Sequence, residues 1–255
     1  MNVDNKVSYL LRLADNALIF GHRNSEWCGH GPVLEQDIAI TNISLDLIGQ
    51  ARNFYQYAAQ ILVQNGNPGT TEDSLAYLRD AHQFKNCLLA EMPKGDWATT
   101  ILRQFLLSAF QFYEYDALKN CNDEQIAAIA QKALKEVAYH VKWSSEWVIR
   151  LGDGTKESNT RINKAINDLW MYAGELFLPT AFEIAAAKDG YGANLILLKE
   201  KWLHKIETVF TEATLKMPFD IFMQTGGKIG IHTEHLGFLL AEMQFLQRAY
   251  PNAQW

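Results

Sequence analysis

The sequence predicts an all-α protein, a four-helix bundle with additional helices, and three observations carry that expectation. Apolar residues recur at helical spacing over long stretches. Short clusters of Gly, Pro, Asn and Asp separate those stretches, and these residues supply turn dihedrals or compete with helical hydrogen bonds. No segment shows sustained period-two alternation with β-branched enrichment. Long helices joined by short loops pack most simply as a bundle.

In chain order, the breaks fall at Gly21 to Pro32, Asn65 to Gly69, Met92 to Gly95, Asn120 to Asn122, Gly152 to Gly154, Asp189 to Gly192 and Thr225 to Gly227. Helix starts are expected at Thr70 with Asp73, at Asp96, at Asn122 with Gln125, at Asn194 and at Thr233. Side-chain oxygens at such positions accept the unpaired N–H groups of a first turn.

Two helices can be read closely. From Leu34 to Leu62, one apolar stripe holds Ile40, Ile43, Leu47, Ala51, Phe54, Ala58 and Ile61, and a second holds Leu34, Ile38, Leu45, Ile48, Tyr55 and Leu62. Only a narrow face with Glu35, Asn42, Asp46, Asn53 and Gln60 is polar. A helix apolar over more than half its circumference needs cover on several sides, which predicts a central helix. From Asp123 to Leu151 the pattern is simpler, with Ile126, Ala130, Ala133, Val137, Val141, Val148 and Leu151 in one stripe. Trp143, Trp147, Trp170, Tyr172 and Phe177 read as core or interface packing.

The chain has 255 residues, 48% of them hydrophobic, and no stretch of linker composition, so one domain spanning 1–255 is expected. The formal net charge is −6 and the basic residues are scattered, which excludes the basic stripe of a nucleic-acid binder and argues against a membrane surface. The start of the chain lacks the basic and apolar regions of a secretory signal, and no run of about 18 apolar residues occurs. Cys28, Cys87 and Cys121 are far apart with no C-x-x-C, which fits free thiols in a reducing cytoplasm.

Helical bundles often hold two irons, using one Glu from each of two helices and a Glu-x-x-His pair from each of the others. The residue three before each histidine is Ile19 for His22, Trp27 for His30, Arg79 for His82, Val137 for His140, Lys201 for His204, Ile229 for His232 and His232 for His235. None is a carboxylate, so the di-iron signature is absent. Glu26/His30, Glu136/His140 and Glu200/His204 have i, i+4 spacing, which is read as hydrogen bonding along a helix. His232-Thr233-Glu234-His235 could offer two imidazoles to one metal, but no third ligand can be assigned, and capping or an interface role is the simpler reading. Gly226-Gly227-Lys228-Ile229-Gly230 lacks the spacing of a phosphate-binding loop, and no G-x-S-x-G is present.

Four segments carry a resemblance: Glu26-Trp27-Cys28-Gly29-His30; Leu45 through Asn53; Lys135 through His140; and Gly226-Gly227-Lys228 through His235-Leu236-Gly237 with Leu240-Ala241-Glu242-Met243-Gln244. Together they resemble the C-subunit family of bacterial ring-1,2-phenylacetyl-CoA epoxidases, over nearly the whole chain. The resemblance implies a ferritin-like fold and a place in a multicomponent monooxygenase of aerobic phenylacetate breakdown. In that system a homologous A subunit holds the di-iron centre and binds the CoA thioester, a B subunit joins, and a reductase supplies electrons from NADPH. The resemblance implies that the C subunit is structural and pairs with the A subunit.

The resemblance also places particular residues. Leu47-Ile48-Gly49-Gln50 stands where the A subunit has one E-x-x-H, and Val137-Ala138-Tyr139-His140 where it has the other. The two remaining carboxylates fall opposite Ala17 and Ser108. The implied reading is a relict site with no metal, cofactor or catalytic residue, and with possible homodimers when the chain is alone. Two other readings stay open. One is an atypical metal site on His140 with Glu136, or on His232, Glu234 and His235; the other is a module binding CoA or an aromatic acid.

Overall fold

The computed structural model describes residues 3–251 and 253. Among them are eleven α-helices, four short 3-10 turns and no strand. In order these are α1 (Val3–Ser25), α2 (Leu34–Gln64), α3 (Glu72–Tyr77), α4 (Leu88–Glu91), α5 (Trp97–Leu118) and α6 (Glu124–Gly152). There follow α7 (Lys156–Leu169), α8 (Ala181–Lys188), α9 (Leu195–Glu212), α10 (Glu234–Met243) and α11 (Phe245–Ala249).

The four long helices α1, α2, α5 and α6 form the bundle, and contacts between residues far apart in sequence fix their directions. Asp15 meets Tyr55 while Gly21 lies against Leu47, so α1 and α2 are antiparallel. Arg12 meets Glu114 while Asn24 meets Gln104, so α1 and α5 are antiparallel. Asp46 meets His140 while Gln50 meets Glu136, so α2 and α6 are antiparallel. It follows that α2 and α5 run the same way. A chain leaving the end of α2 must travel back along the bundle before α5 begins. The segment from 65 to 96, containing α3 and α4, makes that journey. One long crossover between two antiparallel helix pairs is the ferritin-like topology.

One contiguous hydrophobic cluster runs from Val7 to Leu240. At one end Trp97 stands edge-on to Trp27, Trp143 and Trp147, with ring centroids 5.1, 6.0 and 5.8 Å away. Trp143 and Trp147 both donate their indole N–H to Gln36 Oε1, at 3.1 and 2.8 Å. That shared acceptor fixes α6 to the first turns of α2, and α7, α8 and α9 pack around the bundle.

Several boundaries differ from the sequence expectation. Gly21 is not a break but lies inside α1, which continues to Ser25. A Cβ there would sit 3.2 Å from Leu47 Cβ, Ile48 Cγ1 and the Ser44 carbonyl oxygen, so the glycine serves close approach of α1 to α2. The cap of α3 is Thr71, which exchanges hydrogen bonds with Ser74, one residue later than Thr70. Likewise Asp123 caps α6 by accepting from the Ile126 N–H, where Asn122 was expected. Asp96 and Asn194 cap as their residue types predict.

The larger difference concerns α2. Its first stripe is buried as expected, apart from the half-buried Ile61. The second is uncovered at Leu34, Ile38 and Leu45, which are 72%, 52% and 62% exposed. Within this chain α2 is therefore a half-covered helix rather than a fully central one. The composition demanded neighbours on several sides, and among the described residues one side is left uncovered at Leu34, Ile38 and Leu45.

Candidate functional site

The six positions singled out from the sequence lie on the inner faces of the four bundle helices. Ala17 is on α1, Leu47 and Gln50 on α2, Ser108 on α5, and Val137 and His140 on α6. All are buried, and Ala17, Leu47 and Val137 belong to the continuous core. A carboxylate at Ala17, Leu47 or Val137 would point among hydrocarbon neighbours, where an unpaired charge is costly.

The polar members are occupied by neighbouring side chains. Gln50 donates from Nε2 to Glu136 Oε2 at 2.9 Å and accepts from the Tyr115 hydroxyl at 3.3 Å. His140 Nε2 lies 3.0 Å from Asp46 Oδ2. Ser108 accepts from Gln104 Nε2 at 2.6 Å, and Gln104 accepts in turn from Asn24 at 2.7 Å. Asp46 and Gln50 are one helical turn apart on α2, and Glu136 and His140 one turn apart on α6. Because the helices are antiparallel, the two pairs meet rung to rung. Glu136 and His140 therefore bond across to α2 rather than to each other, which corrects the reading of an in-helix pair.

The other histidine pairs divide similarly. Glu26 pairs with Arg23 at 2.7 Å and His30 Nδ1 contacts the Cys28 carbonyl at 3.0 Å, both beyond or at the end of α1. Glu200 and His204 are exposed on α9. His232 does not converge with His235: its ring lies between Glu91 and the Phe84 carbonyl, whereas His235 gives its carbonyl oxygen to Arg23. Thr233 occupies the cap position of α10, but its hydroxyl donates to Glu91 Oε1 at 2.9 Å instead of accepting from the helix.

A buried charge network lies outside these predictions. Arg12 reaches Glu114 at 2.6 Å and Glu183 at 3.1 Å, and Lys228 reaches Glu183 at 2.9 Å. All four side chains are buried. Burial alone would raise the Glu183 carboxyl, but Arg12 and Lys228 outweigh it and hold it below the usual carboxylate range. Nearby, Asp15 accepts from Tyr55, Arg79 and the Lys85 N–H. Glu175 accepts from the N–H groups of Leu88 and Gly226, at 2.7 and 2.8 Å. The sequence held one signal for this network. Arg12, Asp15 and Asn16 interrupt an otherwise apolar run from Leu10 to Phe20, and charges of opposite sign inside such a run need buried partners.

Over residues 1–255 the chain matches the family described as Phenylacetic acid catabolic protein. The chain belongs to that family. It is 45% identical over 248 residues to the C subunit of the 1,2-phenylacetyl-CoA epoxidase of Escherichia coli strain K12, a match covering 97% of this chain and 98% of that relative. As in any bundle of this topology, a di-iron centre is the group to test for in this member of the phenylacetic acid catabolic family. Four carboxylates and two imidazoles are needed. The six inner positions offer one imidazole, one carboxamide, one hydroxyl and three hydrocarbon side chains, and the imidazole is engaged by Asp46. Among the described residues no group of three or more His, Cys, Asp or Glu side chains is arranged to hold a metal. These residues do not fit a di-iron centre. Nor is any described helix long and apolar enough to cross a membrane.

Proposed function

We propose that this chain is a non-catalytic structural subunit of a multicomponent di-iron monooxygenase that epoxidises phenylacetyl-CoA, and that it pairs with and stabilises the catalytic A subunit. The B subunit and the reductase complete the assembly, in the cytoplasm, and residues 1–255 act as one folding unit. The observation that carries this reading is the hydrocarbon filling at Leu47 and Val137, both fully buried in mid-bundle. With no iron to neutralise them, carboxylates there would destabilise the fold, and replacing buried charge by well-packed aliphatic groups is commonly neutral or stabilising. The bundle then holds its shape by packing.

The pairing has its own support. Leu34, Ile38 and Leu45 form an exposed apolar line along α2, a helix whose composition calls for cover on that side. Gly49 lies on the same exposed side with open space where a Cβ would be. A glycine inside a helix costs about 1 kcal/mol relative to alanine, and no contact among the described residues accounts for it. Were a helix of the homologous A subunit to cross at Gly49, it would supply both the missing cover and the reason for the glycine.

Iron analysis of the purified chain should give well under one equivalent. Stoichiometric iron with oxygen-dependent turnover would overturn the reading. Co-expression with the A subunit should give a stable complex, and the Ile38→Asp/Leu45→Asp variant should fold alone yet fail to co-purify. Equal solubility and activity of the A subunit without this chain would remove the scaffold role. Retention of the complex by the double variant would move the interface elsewhere.

A further inference from the structure

The histidine cluster at the start of α10 is unused by the proposed function, and its geometry is unusual. His232 Nδ1 lies 2.7 Å from Glu91 Oε2, and Nε2 lies 3.0 Å from the Phe84 carbonyl oxygen. Glu91 is fully buried and already accepts from three other donors: the Thr233 N–H at 2.7 Å, the Thr233 hydroxyl at 2.9 Å and the Asn86 carboxamide at 2.8 Å. A carboxyl group so surrounded by donors is an acceptor on every side. Both ring nitrogens of His232 therefore face acceptors, and only the doubly protonated ring satisfies both.

The surroundings favour that charge. On α4 the ring faces Glu91, and on α1 it feels Asp15, itself paired with Arg79 and the Lys85 N–H. Arg23 of α1 donates to the main-chain carbonyls of Glu91 and His235, fastening both sides of the contact. His82 lies beside the preceding turn, where its main chain abuts Gly230.

From this arrangement we propose that protonated His232 is a pH-sensitive clasp, holding the C-terminal segment from Gly226 through α10 and α11 against α4 and α1. Burial by itself would drive the ring's pKa down. The Glu91 contacts and the Phe84 carbonyl outweigh it, and the pKa is raised. A group whose pKa is higher in the closed state than in the open one favours closure fully below its ordinary value of about 6.5. That contribution disappears as the pH rises through the raised value. Deprotonation leaves a nitrogen lone pair facing an oxygen, so one of the two contacts must open. The segment keeps its other fastenings, namely Lys228 on Glu183, the main-chain bonds to Glu175, and Gln244 on the Arg79 carbonyl. The expected response is loosening around α10 rather than unfolding of the bundle.

Hydrogen–deuterium exchange of the full chain between pH 6 and 9, corrected for intrinsic exchange rates, tests this. Protection of peptides from 230 to 244, relative to peptides from α5, should fall with rising pH. The fall should be about tenfold for each unit by which the closed-state pKa exceeds the open-state one. The midpoint of the accompanying rise in the opening constant, the reciprocal of protection, should coincide with the ring titration of His232 followed by NMR in the same protein. In His232→Gln the relative protection should be low and independent of pH, while His82→Gln and His235→Gln should behave as wild type. The clasp is refuted if the fall persists in His232→Gln, or if relative protection stays constant while the wild-type His232 ring titrates. Should His232→Gln not fold, the comparison of the two wild-type midpoints decides alone, and a mismatch overturns the proposal.

Discussion

Leu47→Glu would place a carboxylate in mid-bundle, and its cost can be worked from the surroundings. Leu47 is fully buried, with α1 close enough that a Cβ at Gly21 would stand only 3.2 Å from its Cβ. Losing the leucine's apolar burial costs about 2 kcal/mol. The new carboxyl can avoid a buried charge by protonating, which at pH 7 costs about 4 kcal/mol for an ordinary glutamate near 4.3. The total is about 6 kcal/mol, before any penalty for the neutral acid's unmet hydrogen bonds. For a chain of this size each kcal/mol moves Tm by about 2–4 °C, so a loss on the order of 12–24 °C is expected. The electrostatic part has a distinctive pH dependence. The buried carboxyl has a raised pKa, so its cost shrinks by about 1.4 kcal/mol for each pH unit below 7 and vanishes near 4.3. Urea unfolding followed by circular dichroism at pH 7 and pH 5 should show the variant regaining stability relative to wild type at the lower pH. Leu45→Glu, two residues away on the exposed face, is the control and should lie within about 0.5 kcal/mol of wild type. A wild-type transition for Leu47→Glu at pH 7, or a deficit unchanged at pH 5, would refute the reasoning.

Two further predictions concern the rest of the core. Arg12→Met leaves Glu114 and Glu183 buried against a neutral side chain and should cost about 3–5 kcal/mol in chemical denaturation, because breaking a buried pair strands the remaining charges. The depressed Glu183 pKa means that its contribution is present above about pH 4.5 and lost as pH falls through the folded value, so Glu183→Gln should flatten part of the acid unfolding curve. Gly21 and Gly49, inside α1 and α2, should respond differently to alanine. Gly49→Ala should stabilise the free chain by up to about 1 kcal/mol and weaken co-purification with the A subunit, while Gly21→Ala should gain nothing in stability because the Ser44 carbonyl blocks the new methyl group. Equal Tm increases in both would refute the distinction.

The fold class, the two long helices and the buried stripe of α2 were legible in the sequence because periodicity records burial directly. The residues Ile40, Ile43, Leu47 and Phe54 point inward in space as they do on a helical wheel. Helix ends were less legible. Gly21 looks like a breaker, yet it sits within α1 where α2 approaches closely, a tertiary reason invisible to local composition. The exposure of Leu34, Ile38 and Leu45 was likewise hidden. Periodicity reports that a face is apolar, not which molecule covers it. At the inner positions, the residue types themselves could be read from the sequence, and none is a carboxylate. The pairing of Asp46 with His140 and of Gln50 with Glu136 could not, since it depends on the register of two antiparallel helices far apart in sequence.

That register suggests where charge has gone in this bundle. In a di-iron protein the inward carboxylates converge on metal; here the buried carboxylates Asp15, Glu91, Glu114, Asp123, Glu175 and Glu183 are dispersed, each met by arginine, lysine, protonated histidine or main-chain N–H groups. Their partners come mostly from the crossover and from the chain after residue 170, not from the four long helices. Buried pairs of this kind add little net stability compared with hydrocarbon, but each is costly to break from one side. They therefore act less as a source of stability than as a condition on placement. The apolar core brings the four helices together, and the dispersed charges decide where the crossover and C-terminal segment must lie. In the proposed scaffold role a partner-facing surface needs that placement fixed more than it needs a reactive centre, and the charged side chains of α1 serve to fix it.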